Sequence, residues 1–490
     1  MEPISLMQTK ALYEHKTTCF VFRIDNRQTI KDYFRCMKQP ILIFLLFIAT
    51  ASPALSQQYK QLTDVPTIYI ETENRRSITS KEAYIYCSMV YVDGDEVTRY
   101  DSTQIRGRGN STWWCSDKKS YRLKFAHKQR LLGEGFANAK SWTLLANHGD
   151  KTMIRNALTY DLGRLLGMKF CPAAKFADLY LNGQYLGTYQ ISDQVQVQKK
   201  RVDIDEENGW FLEVVNENSK EEPLITTTRY GIMYNIKNPE GEFLTVNKRI
   251  AIGQWLRSFE ETVASDNFMD PQQGYRAFVD EEDLINWYVG AEITGNIDAL
   301  YSIYMFKDGD DDKMHFGPLW DLDLGYDNSS EKSLLRNMEA YLGLWNRPFE
   351  KIFQRLWQDP WFAQACNDRL GELVDNGLQQ YLLDHIDSLR TAIWQTQTEN
   401  FRKWRIEEPV YDWAKKAYYS NYDRYITDLK DFVKIHIPYL QEAFAKRMPT
   451  GIDTPTRIVN HQYFDLNGRH ISHPTHRGVY IQNHQKRIKQ

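Results

Sequence analysis

The sequence predicts an α+β fold with a β-rich N-terminal part, a largely helical part after it and a small β tail at the C-terminus. Apolar and polar residues alternate through much of Val65–Tyr100, which is typical of antiparallel strands. Asn182 and Gly183 separate two further alternating runs, and this dipeptide is the strongest short-range signal of a β-hairpin. From Ser330 to Lys446, large apolar residues recur with the spacing of amphipathic helices.

The composition favours a globular protein that does not bind nucleic acid. The chain has 490 residues, of which 42% are hydrophobic, and this is enough for a large core. A formal net charge of −3 gives no basic field that would attract nucleic acid. The 30 tyrosines and 13 tryptophans suit a surface that engages polymers or partners, and core packing explains them equally well. We expect a monomer.

A short apolar run near the N-terminus predicts export. Pro40–Leu55 is too short for a comfortable membrane span and ends in small residues, as a signal peptide does. Translation from Met37 would give a conventional start, with the mature chain beginning at Gln57 and no stable membrane span after cleavage. The alternative is an internal anchor. The predicted divisions are an artefact of gene prediction (1–36), the signal peptide (37–56), the main domain (57–449) and a β-hairpin tail (450–490). We expect a periplasmic, cell-surface or secreted protein.

The cysteines do not indicate a metal site. Cys87, Cys115, Cys171 and Cys366 follow the proposed cleavage site, and none has CxxC spacing. In an exported protein, one or two disulfides and buried free thiols are both compatible with this pattern.

The strongest chemical signal is a predicted hairpin with acidic residues at its open end. Tyr301–Phe306 suits a strand, Lys307–Lys313 a polar turn and Met314–Trp320 a return strand. Pairing around the turn would place Asp298 across from residue 322, between Asp321 and Asp323.

Carboxylates so close repel each other, so either one takes up a proton or a cation lies between them. Oxygen ligands at this position favour Mg²⁺ over Zn²⁺. The alternative is that Asp298 and Asp321 only cap local turns. Asp308, Asp310 and Asp312 have calcium-loop spacing, but Lys313 stands where such a loop needs glycine, so a solvated turn is favoured.

A glycine- and arginine-rich segment predicts phosphate binding. Arg106 and Arg108 alternate with glycines, and Gly109 and Asn110 follow, so that backbone N–H groups and guanidinium groups can turn toward phosphate. In the next predicted strand, Tyr121, Leu123 and Phe125 share one face. Lys124 lies on the other face and Lys119 just ahead of the strand; the sequence leaves open which lysine reaches phosphate.

Two further segments complete the N-terminal part. Asp150–Met168 has an apolar stripe and predicts a helix with Asp150 as its N-cap. Trp210–Val215 predicts a strand. Glu213 within it faces either solvent or a basic partner in a cleft.

These segments together resemble the CotH kinase family of atypical protein kinases over about Pro66–Ala445. Seven pieces stand in family order: RGRGNSTW, KKSYRLKF, DKTMIRNAL, LYLNGQYLGTYQISDQV, GWFLEV, NID and GPLWDLDLGYDN. The tail also resembles the C-terminal sequences of exported Bacteroidetes proteins, with Gln462–Arg469 and Gly478–Gln482 as short strands around a turn.

The resemblance implies a kinase-like two-lobed fold that binds ATP with Mg²⁺ or Mn²⁺. Asp298 would orient the acceptor hydroxyl, and Asp321 would chelate the metal on the phosphates, with Asp323 as a further ligand. Many members carry an asparagine soon after the catalytic aspartate, and this chain has Ser302 and Ile303 there. Asp323 or Asn296 would then have to substitute.

Two functions from different classes follow. The first is ATP-dependent phosphoryl transfer to Ser or Thr hydroxyls of exported proteins, which the intact Asp298 and Asp321 favour. The second is a non-catalytic binding or adhesion protein on a kinase-like scaffold, which export and the aromatic content favour. A calcium-stabilised module would rest on the acidic turn alone.

Overall fold

The computed structural model describes residues 59–296, 299–310, 312–329, 347–412, 414 and 418–447, and the backbone of four short strands within 463–489. Among these residues no helix has the length and apolarity that crossing a membrane requires. The fold is mixed α+β, with sheets concentrated before residue 239 and helices after it.

Seven N-terminal strands close into a barrel in the order β1-β2-β3-β4-β5-β7-β6. Parallel pairing of β1 with β6 completes the ring, and the other contacts are antiparallel. The sequence predicted most of these strands, but neither the strand at Ala139–Leu145 nor the closure of the barrel. The strands are β1 (Thr67–Thr72), β2 (Ile85–Asp93), β3 (Glu96–Arg108), β4 (Ser120–Gln129), β5 (Ala139–Leu145), β6 (Ala174–Leu181) and β7 (Gln184–Asp193).

Alternation in β4 decides which residues fill the barrel. Tyr121, Leu123 and Phe125 are buried in the core, whereas Lys124 is exposed, as the alternating pattern predicts. The predicted Asn182-Gly183 turn joins β6 to β7. Both residues have positive φ, at 52° and 79°, which is the requirement of the turn type that Asn-Gly favours.

A second sheet has the strand order β12-β11-β8-β10-β9. Its strands are β8 (Trp210–Val215), β9 (Leu224–Thr226), β10 (Met233–Asn238), β11 (Ile303–Lys307) and β12 (His315–Phe316). The hairpin predicted around residue 310 therefore exists. It is also joined to β8 through β11, so β11 is buried between two neighbours.

Nine α-helices lie within the described residues, most of them in the C-terminal part. They are α1 (Ser111–Cys115), α2 (Arg155–Leu166), α3 (Val246–Ala264), α4 (Glu281–Thr294), α5 (Glu350–Leu356), α6 (Pro360–Asp375), α7 (Leu378–Ala392), α8 (Trp394–Lys403) and α9 (Tyr422–Lys446). The largest apolar core joins the second sheet to these helices. The described part of the chain also has short 3₁₀ turns at Glu73–Arg75, Gly241–Phe243 and Tyr275–Ala277.

The C-terminal tail forms a four-stranded sheet in the order β14-β13-β15-β16. Its strands are β13 (Tyr463–Phe464), β14 (His470–Ile471), β15 (Gly478–Gln482) and β16 (Gln485–Lys489). The four cysteines that follow the proposed cleavage site are free thiols, two of them buried. The predicted signal peptide lies outside the described residues.

One predicted boundary was wrong. The helix expected from Asp150 begins at Arg155, and its N-cap position is occupied by Ile154. Asp150 instead closes the preceding turn, accepting hydrogen bonds from the N–H groups of Thr152 and Arg155 and from the Arg155 guanidinium. The buried Asp150–Arg155 ion pair thus replaces the expected cap.

A buried histidine predicts acid sensitivity. His436 in α9 is fully buried, and burial lowers its pKa to about 4 while its Nε2 donates to the Glu292 carbonyl at 2.7 Å. An unfolded histidine titrates near 6.5, so the unfolded chain binds more protons between these pH values. The contribution of His436 to the free energy of unfolding is fully present above about pH 6.5. It falls by about 3 kcal/mol as the pH drops toward 4.

The measurement is urea unfolding of the wild type and His436→Phe from pH 7.5 to 4.5. We expect the variant to lose less stability than the wild type over this range. Equal losses would show that His436 does not cause the acid sensitivity. His148, whose pKa burial lowers to about 3, contributes in the same direction in both proteins.

Candidate active site

A cavity of about 850 Å³ lies between the outer face of the barrel and the second sheet. Arg122 of β4 and Gln194 after β7 line it on the barrel side. Phe211 of β8, Lys237 of β10 and Tyr304 of β11 line it on the other side. Small-molecule sites typically occupy about 300–1,000 Å³, so the cavity is large enough for a nucleotide.

Three arginines face outward from adjacent barrel strands, and one of them, Arg122, lines this cavity. Arg106 of β3 stands directly opposite Arg122 of β4, and Arg108 lies two residues further along β3. Ile105 and Leu123 alternate with them and fill the barrel interior. The phosphate-binding prediction named Arg106 and Arg108 but missed Arg122, because strand pairing and not sequence adjacency brings it to them.

The arginine cluster (Arg106, Arg108 and Arg122) has unused hydrogen-bonding capacity. The Nε atoms of Arg106 and Arg122 are buried and have no hydrogen-bond partner among the residues that the structure describes. Burial lowers the pKa of Arg122, and the neighbouring charges of Arg106 and Arg108 act in the same direction. An anion bound here would satisfy the donors and relieve the repulsion, which makes the cluster a candidate phosphate site.

The glycines beside the arginines have packing roles. A side chain at Gly107 would collide with the ring of Trp113 in α1, and one at Gly109 with the Thr112 side chain. Gly109 also has a φ of +93°, which other residues rarely adopt. Asn110 accepts a hydrogen bond from Lys81 at 3.0 Å. These contacts fold α1 against the end of β3.

The two candidate lysines differ in their surroundings. Lys119 donates to the Trp113 carbonyl at 2.5 Å and lies over the same residue's ring. Lys124 is exposed and projects from the same face of β4 as Arg122, with its Nζ 5.8 Å from the centre of the Tyr84 ring. This placement favours Lys124 as the lysine beside the arginine cluster.

A third lysine, which the sequence interpretation passed over, has a structural role. Lys118 is 2% exposed, and its Nζ donates to the carbonyls of Ala146 and Thr188 and to Asn400 Oδ1. Burial lowers its pKa well below the usual range for lysine. The residue ties α8 to two barrel strands.

Glu213 lies on β8 and pairs with a lysine in the cavity, which is one of the two alternatives that the sequence left open. Its carboxylate is 2.9 Å from Lys237 Nζ, and Lys237 is also 3.2 Å from Glu221. Burial lowers the pKa of Lys237, but the two carboxylates outweigh this and leave it raised. Lys237 is therefore a fixed cation in the cavity wall, and only the pairing of β8 with β10 reveals it.

The open end of the hairpin differs from the prediction. Met305 pairs with Phe316 and Phe306 with His315, one residue away from the predicted register. The regular ladder stops there, so strand pairing does not reach the acidic residues. Asp298 lies outside the described residues. Asn296 reaches the same region, where its Nδ2 lies 3.4 Å from the Asp321 carbonyl.

Asp321 and Asp323 lie instead on a loop (residues 321–328, called the acidic loop) that is held by hydrogen bonds to its backbone. Asn156 accepts from the N–H of Leu322 at 3.1 Å, and the Arg155 Nε donates to the carbonyl of Gly325 at 3.1 Å. Asn328 Nδ2 donates to the carbonyl of Gly149 at 3.1 Å. The segment that begins with Asp150 therefore positions this loop as well as starting α2.

Asp321 of the acidic loop and Arg108 of the arginine cluster both act on the same cavity residue, Tyr304. Asp321 is exposed and has a φ of 63°, which asparagine and aspartate tolerate better than most residues. Burial raises the pKa of Tyr304, and the Asp321 charge acts in the same direction while Arg108 opposes it. Arg108 also lies 5.7 Å from the centre of the Trp320 ring, next to Asp321. Acidic and basic groups thus converge at Tyr304.

The donor set suits a divalent cation bound with a phosphate. Asp321 and the half-buried Asp323 supply carboxylate oxygens, which Mg²⁺ prefers. The arginine cluster supplies the planar donors that phosphate oxygens accept. Asp321 and Asp323 are therefore the residues that would hold the metal ion.

The fold thus has a cavity of nucleotide size with Arg122 and Lys237 in its wall, and a separately anchored acidic loop. A family model described as CotH kinase protein matches residues 105–436, more than half of the chain, and the chain belongs to this family. The match includes the arginine cluster and the acidic loop. A search of curated proteins finds no match.

Proposed function

We propose that this protein transfers a phosphoryl group from ATP, with Mg²⁺ or Mn²⁺, to Ser or Thr hydroxyls of exported or cell-surface proteins. Membership of the CotH kinase family supports kinase-like phosphotransfer. The observation that carries the proposal is that Arg122 of the arginine cluster and Tyr304 line one cavity, and that the charges of Arg108 and Asp321 both act on Tyr304. The predicted signal peptide supports the extracytoplasmic location.

Each group then has a role in positioning and charge neutralisation, which dominate catalysis of phosphoryl transfer. The arginine cluster and Lys124 bind the phosphates, and Asp321 and Asp323 hold the metal ion. The metal, when bound, neutralises phosphate charge. Asp298 orients the acceptor hydroxyl and takes its proton, a role that the family resemblance supplies.

The proposal is tested by thermal unfolding of the purified chain with ATP, with Mg²⁺, and with both. A ligand that binds the folded state alone raises the melting temperature. We expect a clear rise with both ligands and a smaller one with either alone. If no combination raises the melting temperature, the binding or adhesion function becomes the better account.

Replacing Lys124 with Ala should weaken ATP binding while leaving the fold intact. Exposed substitutions usually change stability by less than about 0.5 kcal/mol. Lys119→Ala should affect affinity less, because Lys119 already binds the Trp113 carbonyl. Calorimetric titration of Mg²⁺–ATP measures the affinity of both variants. The matched control is Lys128→Ala, which changes an exposed lysine further along β4. If neither substitution changes the affinity for ATP, the prediction that one of these lysines binds phosphate is wrong.

A further inference from the structure

A second polar cluster lies at the N-terminus of α4, at the opposite end of that helix from Asn296. Asp280 caps the helix and accepts from the Asp283 N–H at 2.9 Å. His315 of β12 packs against both carboxylates. Its Nδ1 is 2.7 Å from Asp283 and 3.8 Å from Asp280, and the nearest ligand atoms of all three residues lie within 4.8 Å of one another.

The distances of 2.7 and 3.8 Å from His315 Nδ1 to the two carboxylates lie on either side of the ligand–ligand distance in a tetrahedral metal site. Metal–ligand distances of about 2.0–2.1 Å place neighbouring ligand atoms about 3.3 Å apart. His315 and Asp283 are buried, whereas Asp280 is partly exposed and leaves a route from solvent. We propose that Asp280, Asp283 and His315 form a structural site for a divalent transition metal of the Zn²⁺ type.

The charges around His315 support a cation. Asp312 lies 3.2 Å from its Nε2, and Lys169 Nζ lies 2.8 Å from the same atom. With Asp280 and Asp283, three carboxylates then face one ammonium group. A metal ion binds the neutral imidazole, and with the ring neutral these four charges sum to −2, which one divalent ion balances.

The surroundings can also orient a metal-bound imidazole. Histidine ligands usually donate their second ring N–H to a carboxylate, which fixes the tautomer. When Nδ1 binds the metal, the ring proton lies on Nε2, and this N–H donates to Asp312. Lys169 then donates to the Asp312 carboxylate instead of to the ring.

The site would fasten the start of α4 to the hairpin. β12 carries His315, and the backbone of Val279 bridges that of Met314 beside it. At the other end of α4, the Thr294 carbonyl accepts from the Tyr326 N–H of the acidic loop at 2.6 Å. A metal at the N-terminus therefore stabilises the helix that supports the acidic loop, and it takes no part in the chemistry.

The test is calorimetric titration of Zn²⁺ into the metal-stripped chain without nucleotide, with thermal unfolding alongside. We expect one saturable site and a raised melting temperature. His315→Ala should lose both effects, and Asp312→Asn should weaken binding by about 10–100-fold. Lys169→Met should strengthen binding, because it removes a competing cation.

Asp280→Asn keeps the result interpretable if His315→Ala fails to fold. Asparagine caps helices about as well as aspartate, so this change removes the ligand charge while preserving the cap. Asp101→Asn, which changes an exposed aspartate of β3 outside both clusters, is the matched control and should bind Zn²⁺ as the wild type does. Absence of Zn²⁺ binding by the wild type, or unchanged binding by Asp280→Asn and His315→Ala, would overturn the proposal. Neither result affects the proposed phosphoryl transfer.

Discussion

Asp321→Asn should abolish metal-dependent ATP binding and reduce phosphoryl transfer by at least about a thousandfold, the scale of a major electrostatic contribution. Under the proposal Asp321 ligates the metal ion, so the substitution removes that charge. Asparagine tolerates the left-handed backbone found at residue 321, where φ is 63°, so the loop should keep its conformation. The loss can then be assigned to the missing charge.

Calorimetry with and without Mg²⁺ measures this effect, and Asp298→Asn provides the contrast. That variant should bind Mg²⁺–ATP normally but transfer no phosphoryl group, because it lacks the group that orients the acceptor hydroxyl. Asp327→Asn, on the same loop, is the control for nonspecific loss of charge. Wild-type ATP affinity in Asp321→Asn would remove Asp321 from the metal site.

Arg122→Leu should weaken ATP binding strongly and yet leave the folded state as stable as before or more stable. Hydrogen bonds to charged groups contribute about 1.5–3 kcal/mol, which corresponds to about a 10–150-fold loss of affinity. Without ligand, the buried Nε of Arg122 has no hydrogen-bond partner in the described part of the chain, and its charge lies near those of Arg106 and Arg108. Removing it relieves repulsion, so affinity and stability should change in opposite directions.

Urea unfolding and ATP titration of the same samples separate these two effects. Arg130→Leu is the matched control, since Arg130 is exposed and pairs with Glu134 at the surface. The control should change neither quantity appreciably. A clear loss of stability in Arg122→Leu would instead indicate that Arg122 has a structural role.

The sequence predicted local structure well where one residue pattern decides it. Asn182-Gly183 dictated its turn, and the alternation around Leu123 identified the buried face of β4. Trp210–Val215 was predicted with its observed bounds. In each case steric preference or burial acts within a few residues, so the pattern is visible in a single sequence.

Such local patterns could not predict which distant strands pair with each other. Arg122 and Lys237 enter the cavity because β4 pairs with β3 and β10 with β8, and no local feature distinguishes them from surface residues. The helix start at Asp150 was wrong because that carboxylate binds Arg155 in a buried turn. At the hairpin mouth, pairing ends before Asp321, and the acidic loop is positioned by Asn156 instead.

The most direct test of the central claim is incubation of the purified chain with γ-labelled ATP, Mg²⁺ or Mn²⁺, and a protein acceptor rich in Ser and Thr. The account predicts metal-dependent label on Ser or Thr of the acceptor, absent with Asp298→Asn and with Asp321→Asn. Absence of label with the wild type under both metals would contradict it, as would equal labelling by the wild type and the two variants.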